Sequence, residues 1–371
     1  MKNVLKTCVI TFCTVVFALN AGACHIKKVK NQNNKNIEIT IPDEVKSQKD
    51  IEILPAMSSK ISAKNSIWVG TFQLVWNELI DNIVGEPIDF VEGANETMEL
   101  LNSRSFSKND LGDESYYTKW GAVSPDLKKE IEKGIKDKFN ETSDILDNFD
   151  FTYDPQKLFI YAMLKKDFKF LEAFDKLDDE TFGKNETLVK YFGIDNLSSA
   201  TLYKNVSVLF YNKSNDFAVS IHTKGNDEVI LYRTNEDKNF NEYYSDIKTK
   251  TAEFEGSQFF SHNDRLKIPN ISLYQTTNFS ELEGKNIKGK DLRIDKTIET
   301  IDFKMDNEGV KLKSEAAIMM LATASPDFQT QIRKFYFNDK FVLFLIEKGK
   351  TAPYFALKVN DVDTLNRTGR R

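Results

Sequence analysis

Up to about residue 140 the apolar positions recur at helical spacing. In "TFQLVWNELIDNIV", Phe72, Val75, Leu79 and Ile83 return every three or four residues, the stripe of an amphipathic helix. "GANETMELLNS" and "SPDLKKEIEKGIKDKF" also read as helices, and Ser124-Pro125-Asp126 is a helix start with Pro in the first turn. From Lys157 the texture changes. "KLFIYAMLKKDF" is a buried apolar run, and "TLYKNVSVLFYN" and "FAVSIHTKGNDEVILYRT" alternate and are rich in Val, Ile, Tyr and Thr. These are strands, with a turn at Gly225-Asn226-Asp227. "RLKIPNISLYQT" is a further strand whose Pro269 marks an edge or a bulge. "TIETIDFKMDNEG" ends in a turn at Asn307-Glu308-Gly309, and "KFYFNDKFVLFLIEK" with "TAPYFALKVN" makes a hairpin through Gly349. Helices followed by strands predict an α+β fold with a large, antiparallel or mixed central sheet.

The first residues have a different character. "MKNVLKTCVITFCTVVFALNAGAC" has Lys2 and Lys6, an apolar run from Val9 to Leu19, and Ala21-Gly22-Ala23. A basic start, a short apolar stretch and a small-residue end are the marks of a signal peptide, so residues 1–24 are expected to lie outside the fold. Cys24 follows that end directly and resembles the bacterial lipobox cysteine, a candidate for lipidation; plain secretion is the alternative. Residues 25–59 are polar and read as a tether. The domain is placed at 60–363, with 364–371 as a disordered tail.

All three cysteines, Cys8, Cys13 and Cys24, lie in the leader, so residues 25–371 hold no disulfide, CxxC zinc site or catalytic Cys. The net charge of −5 and the scatter of Lys argue against a nucleic-acid partner. The histidines are His25, His222 and His262, and no metal-ligand spacing or GxSxG joins them. "GKNIKGKD", Gly284 to Asp291, has P-loop spacing up to Lys290, but Asp291 stands where a Ser or Thr would hold magnesium. It reads as a solvated loop. No cofactor, metal or catalytic residue is expected.

Between the last long strands lies a segment of small residues and Met. The flanking sequences resemble those of the serpins. "RKFYFNDKFVLFLIEKGKTAPYFALKVND" is similar to the closing strands of that family, "RIDKTIETIDFKMDNEG" to the strand before its reactive-centre loop, and "DNEG" with "SEAA" to the hinge of that loop. "KLFIYAMLKKDFKFLEAFD" and "LKKEIEKGIKDKF" resemble an earlier strand and helix, so the likeness runs from about Asp126 to Asp361. It departs at Val310 to Lys313, which separate Gly309 from Ser314, and at Tyr161, where the family has a buried Asn.

The resemblance implies one serpin-like domain with a large central sheet, a smaller sheet and helices mainly from the N-terminal half. It implies an extracellular peptidase inhibitor, not an enzyme, whose loop is cut by a serine or cysteine protease and then enters the sheet. The hinge would be Ser314, Glu315, Ala316 and Ala317. The cut falls near Thr323, Asp327 or Gln329, depending on whether one counts from Gly309, Ser314 or Asn338; Phe328 is the large aromatic of that window. Strand period puts Ser314, Ala316, Ile318 and Met320 on one face, with Glu315 and Ala317 on the other. The alternative is a non-inhibitory serpin-like binding protein at the cell surface. A monomer, secreted or lipid-anchored at the outer face of the membrane, is expected.

Overall fold

A computed structural model describes residues 14–18, 51–62, 65–143, 145–310 and 332–368. In chain order the strands are β1 (Thr14–Ala18), β2 (Ile51–Leu54), β3 (Asn65–Val69), β4 (Tyr116–Val123), β5 (Asp154–Leu164), β6 (Phe168–Lys169), β7 (Asp175–Thr181) and β8 (Leu188–Ile194). They continue with β9 (Val206–Lys213), β10 (Asp216–His222), β11 (Asp227–Arg233), β12 (Arg265–Pro269), β13 (Ile271–Thr277) and β14 (Lys296–Asp306). The last are β15 (Gly309–Val310), β16 (Lys334–Tyr336), β17 (Phe341–Glu347), β18 (Phe355–Val359) and β19 (Arg367–Thr368). The α-helices are α1 (Thr71–Leu79), α2 (Glu96–Asn102), α3 (Pro125–Phe139) and α4 (Phe240–Glu253).

The strands form three sheets. The first runs β4-β5-β1-β14 and then β15-β6, with β13 on the other edge of β14. The second runs β2-β3-β18-β17-β11-β10-β9, and the third holds β16-β12-β8-β19 with β7 also on β8. Alternation along β5 divides the core. Ile160, Ala162 and Leu164 join the main cluster with α1 and the second sheet, while Phe159, Tyr161 and Met163 pack beneath Leu127, Ile131 and Ile135 of α3. The helix α3 begins as its sequence requires: the Ser124 side chain accepts from the Leu127 N–H, with Pro125 in the first turn.

The α+β class and the large sheet are those expected, and α1, α2 and α3 lie in the N-terminal half. Several boundaries differ. "RLKIPNISLYQT" is two strands in two sheets: β12 ends at Pro269, and Ile271 begins β13 in the first sheet. Pro269 lacks the N–H that would continue the ladder, and the Asn270 N–H turns to the Lys190 carbonyl. The helix α4 was hidden because its charged sequence has a weak apolar stripe; its Asn239/Glu242 capping box was the readable signal. Ile51–Leu54, placed in the tether by the sequence, is the strand β2 and lies parallel to β3. Thr364 and Leu365 are buried, and Arg367–Thr368 pairs with β8 as β19.

The leader holds the largest difference. Thr14–Ala18, expected outside the fold, is a central strand of the first sheet, paired antiparallel with both β5 and β14. A short β-branched run supplies the backbone donors and acceptors that two facing strand edges lack. The rest of 1–24, Cys24 included, lies outside the described residues.

Candidate functional site

The expected hinge (Ser314, Glu315, Ala316, Ala317) and the cleavage window (Thr323, Asp327, Phe328, Gln329) also lie outside the described residues. The described residues hold the two ends of that segment and one place in the first sheet where a further strand could pair.

That place is a slot between β5 and β14. Both strands run antiparallel to β1, so they are parallel to each other and cannot share a tight turn. Two short strands fill the slot end to end. One is β15, which follows the turn after β14 and lies between Met305–Asp306 of β14 and Phe168–Lys169 of β6. The other is β1.

The turn into β15 is fixed by backbone contacts. Phe170 N–H donates to the Glu308 carbonyl at 3.0 Å, and Phe174 N–H donates to the Asn307 carbonyl at 2.8 Å. Gly309 sits at φ +152°, and a Cβ there would stand 2.3 Å from the Phe168 carbonyl oxygen. Only glycine permits this approach. Val310 follows, fully buried in the main core. The segment that diverges from the serpin pattern therefore begins inside the sheet.

The register carries the geometry further. Continued residue by residue along β14, the β14–β15 pairing places position 315 opposite Thr300. Continued from β6 down β5, the β15–β6 pairing places position 315 opposite Met163. Thr300 and Met163 are the two partners of Thr14. Both edges thus agree: a strand continued in this register from Val310 would take the places of Thr14–Ala18 at positions 315–319. Position 316 would lie between Ala162 and Glu299, both fully buried. Position 317 would lie between Tyr161 and Ile298, beneath α3. On β5 and β14 the residues that flank 316 belong with the main core and those that flank 317 with the α3 cluster.

The other end is anchored by Arg333. Its Nε donates to Asp264 Oδ1 at 2.9 Å and Nη2 donates to Oδ2 at 2.7 Å, a bidentate pair. Nη1 and Nη2 also donate to the carbonyls of Ser257 and Phe259, each at 2.7 Å. Asp264 is fully buried and accepts the Ser261 N–H as well. Lys334–Tyr336 then pair parallel with β12. Sequence reasoning missed this anchor, since nothing local links Asp264 to Arg333.

Other candidates resolve as ordinary structure. His222 lies in β10 with Nε2 at 2.8 Å from Ser207 Oγ, and burial holds its pKa below the usual value. The hydroxyl of Ser220 takes the nearby Glu228 carboxylate, so no acid orients His222. His262 stays in a loop, its carbonyl accepting from Arg265. In Gly284–Asp291, Lys288 pairs with Asp89 at 2.9 Å and the Gly284 N–H is spent on the Ile294 carbonyl. Among the described residues no group of His, Cys, Asp or Glu could hold a metal, and no helix is long and apolar enough to cross a membrane.

No family model and no curated protein matches the sequence. Solved structures that resemble the chain include serpins. They include thyroxine-binding globulin in complex with thyroxine (11% identity, 81% of this chain and 93% of that one, TM-score 0.47). The native thermophilic serpin Tengpin aligns at 13% identity over 82% of this chain and 90% of its own, with a TM-score of 0.43. Serpin48 of the insect Tenebrio molitor aligns at 15% identity over 67% and 77%, with a TM-score of 0.36. All three likenesses have TM-scores below 0.5, and the slot is defined by the strand pairings alone.

Proposed function

We propose that the chain is a serpin-type inhibitor of an extracellular serine or cysteine peptidase. The peptidase cuts the segment between Val310 and Ile332, and the part N-terminal to the cut enters the slot between β5 and β14. One observation carries this reading: β15 already occupies the head of the slot, in the register that β1 keeps below it. A strand fits there with both edges paired, and a loop continuing from Val310 meets no break in frame. Ser314, Ala316 and Ala317 are small enough for a sheet that must close over them. Insertion requires Thr14–Ala18 to leave, which removal of the leader at export would bring about. Lipidation at Cys24 would hold the exported protein at the membrane surface, and the chain acts as a monomer without a cofactor.

The test is incubation of the exported protein with a panel of serine and cysteine peptidases. Denaturant-stable covalent complexes, with a rise in melting temperature of the nicked protein, are expected. A second reading has one observation in its favour: the lower slot is filled by a strand other than the loop. If that occupant stays, the domain is a non-inhibitory binding scaffold. Nicking then gives neither complexes nor added stability.

A further inference from the structure

The loop between β5 and β6 carries Lys166 into the interior, where it is buried against two carboxylates of the second sheet. Its Nζ stands 2.8 Å from Asp227 Oδ1 and 2.5 Å from Glu347 Oε1. Asp227 of β11 and Glu347 of β17 are direct cross-strand partners. The Tyr354 ring closes the site, its centroid 4.9 Å from Nζ, and its hydroxyl donates to Asp227 Oδ1 at 2.9 Å. Glu347 is held on both oxygens: Oε1 accepts the Ser115 hydroxyl at 2.7 Å and Oε2 accepts the Gly112 N–H at 2.8 Å.

One ammonium among two carboxylates, out of water and against an aromatic face, is a poor ion pair and a good reaction site. Two carboxylates and one ammonium leave a net negative charge in a site shielded from water, where an unmatched charge is costly. The two carboxylates have different surroundings. Burial raises the pKa of Asp227, whereas Lys166, Ser115 and Gly112 hold Glu347 below the usual carboxylate value despite its burial. Both oxygens of Glu347 are held by Ser115 and Gly112, whereas the Tyr354 hydroxyl meets Asp227 on the oxygen that faces Nζ, so Asp227 is placed as the electrophile and Glu347 as the base.

We propose that Lys166 Nζ and Asp227 Cγ join in a spontaneous intramolecular amide bond, with Glu347 as the proton carrier. Nζ lies 2.8 Å from Oδ1, beside the carboxyl carbon it has to approach to about 3–3.5 Å for attack. The amine attacks Cγ while the Tyr354 hydroxyl stabilises the charge growing on Oδ1. Glu347 takes the proton released by the nitrogen and passes it to Oδ2, which leaves as water. The N–Cγ bond forms, the Cγ–Oδ2 bond breaks, and one water departs; no oxidant or cofactor is needed. The product leaves Glu347 anionic, accepting from the Ser115 hydroxyl, the Gly112 N–H and the new amide N–H.

The bond ties the first sheet to the second in a region without cysteine. It acts as a disulfide does, by closing a chain loop in the unfolded state, but reductants do not open it. It does not depend on the function proposed for the slot.

The experiment is digestion of the folded, aged full-length protein under denaturing conditions, with the peptides sequenced by mass spectrometry. Expected is one branched species in which the Lys166 peptide and the Asp227 peptide are joined, with a mass one water below their sum. Glu347→Gln and Lys166→Arg should yield the two peptides separately. Recovery of unlinked peptides from the wild type after prolonged incubation at mildly acidic and neutral pH overturns the proposal. So does a water loss confined to the Asp227 peptide, which would be a cyclic imide. Linkage at the wild-type level in Glu347→Gln overturns the role of Glu347. Should either variant fail to fold, the wild-type digest decides alone.

Discussion

Ala316 is the position at which the slot can be tested most sharply. In the continued register it lies between Ala162 and Glu299, and its side chain would meet the main core. An Arg there is a poor probe, because a guanidinium can pair with the Glu299 carboxylate. Glu is the right one. Side chains opposite each other in a sheet stand about 5 Å apart. Two carboxylates at that spacing repel by about 3 kcal/mol at an effective dielectric constant of about 20, and burying the second without a partner adds to this. Gln has the same size without the charge, and an unpaired amide costs about 1–3 kcal/mol. The assay is thermal unfolding of the exported protein before and after nicking between Val310 and Ile332. Uncut Ala316→Glu and Ala316→Gln should melt with the wild type. After nicking at neutral pH, the wild type should gain stability, Gln should gain less, and Glu should gain least. The like-charge pair raises the carboxylate pKa in the inserted state, so insertion of the Glu variant is favoured as pH falls. Near pH 4 it should approach the Gln variant. If Glu and Gln match at neutral pH, position 316 does not lie beside Glu299 and the register argument is wrong.

Other outcomes follow from the same contacts. Asp264→Ala leaves the Arg333 guanidinium buried with two carbonyls and no counter-charge, so it should cost about 3–5 kcal/mol in chemical denaturation, whereas Lys288→Ala, exposed beside Asp89, should leave the denaturation midpoint nearly unchanged. Gly309→Ala drives a Cβ into the Phe168 carbonyl and should unpair β15, seen as faster hydrogen exchange at the Phe170 amide, which reports the turn beside it. His222 is held neutral by burial, so its folded pKa lies below the unfolded value of about 6.5; stability should fall as pH drops through about 6.5, and His222→Gln should flatten that slope. Cys24→Ser should move the exported protein from the membrane to the soluble fraction; an unchanged partition would leave plain secretion.

The elements legible in the sequence were those with a strong local period. The stripe of Phe72, Val75 and Leu79 gave α1, Ser124-Pro125 gave the start of α3, and Gly225-Asn226-Asp227 and Gly349 gave two hairpin turns. The parts that stayed hidden depend on partners far along the chain. Nothing around Pro269 says that the strands before and after it belong to different sheets; that follows from Lys190 taking the Asn270 N–H. The Arg333–Asp264 pair and the Lys166, Asp227, Glu347 site join residues that only the fold brings together. Thr14–Ala18 is a case of the opposite kind. Its local composition marks a leader, and its place in the sheet comes from an unfilled slot elsewhere.

The buried lysine and the slot meet at one end of the first sheet. Lys166 lies between β5 and β6, the strands that line one edge of the slot, and β6 is the partner of β15. An amide to Asp227 would fasten that edge to the second sheet. The opposite edge, β14, has no such tie: β13 pairs along its far side, and β13 reaches the chain end through the bridge of Ile271 to Leu365. A sheet that opens for a new strand must move one edge against the other. With the β5–β6 edge held covalently, the motion falls to β14 and β13, carrying the Asn307 turn with them. The contacts that must give are then the Phe174 and Phe170 bonds to that turn rather than anything at Lys166. Hydrogen exchange during insertion should therefore speed up at the amides of β14 and β13 and leave those of Ile160–Met163 unchanged in the linked wild type, while both edges exchange in Lys166→Arg. Equal exchange of the two edges in the linked protein would show that the staple does not set which side yields.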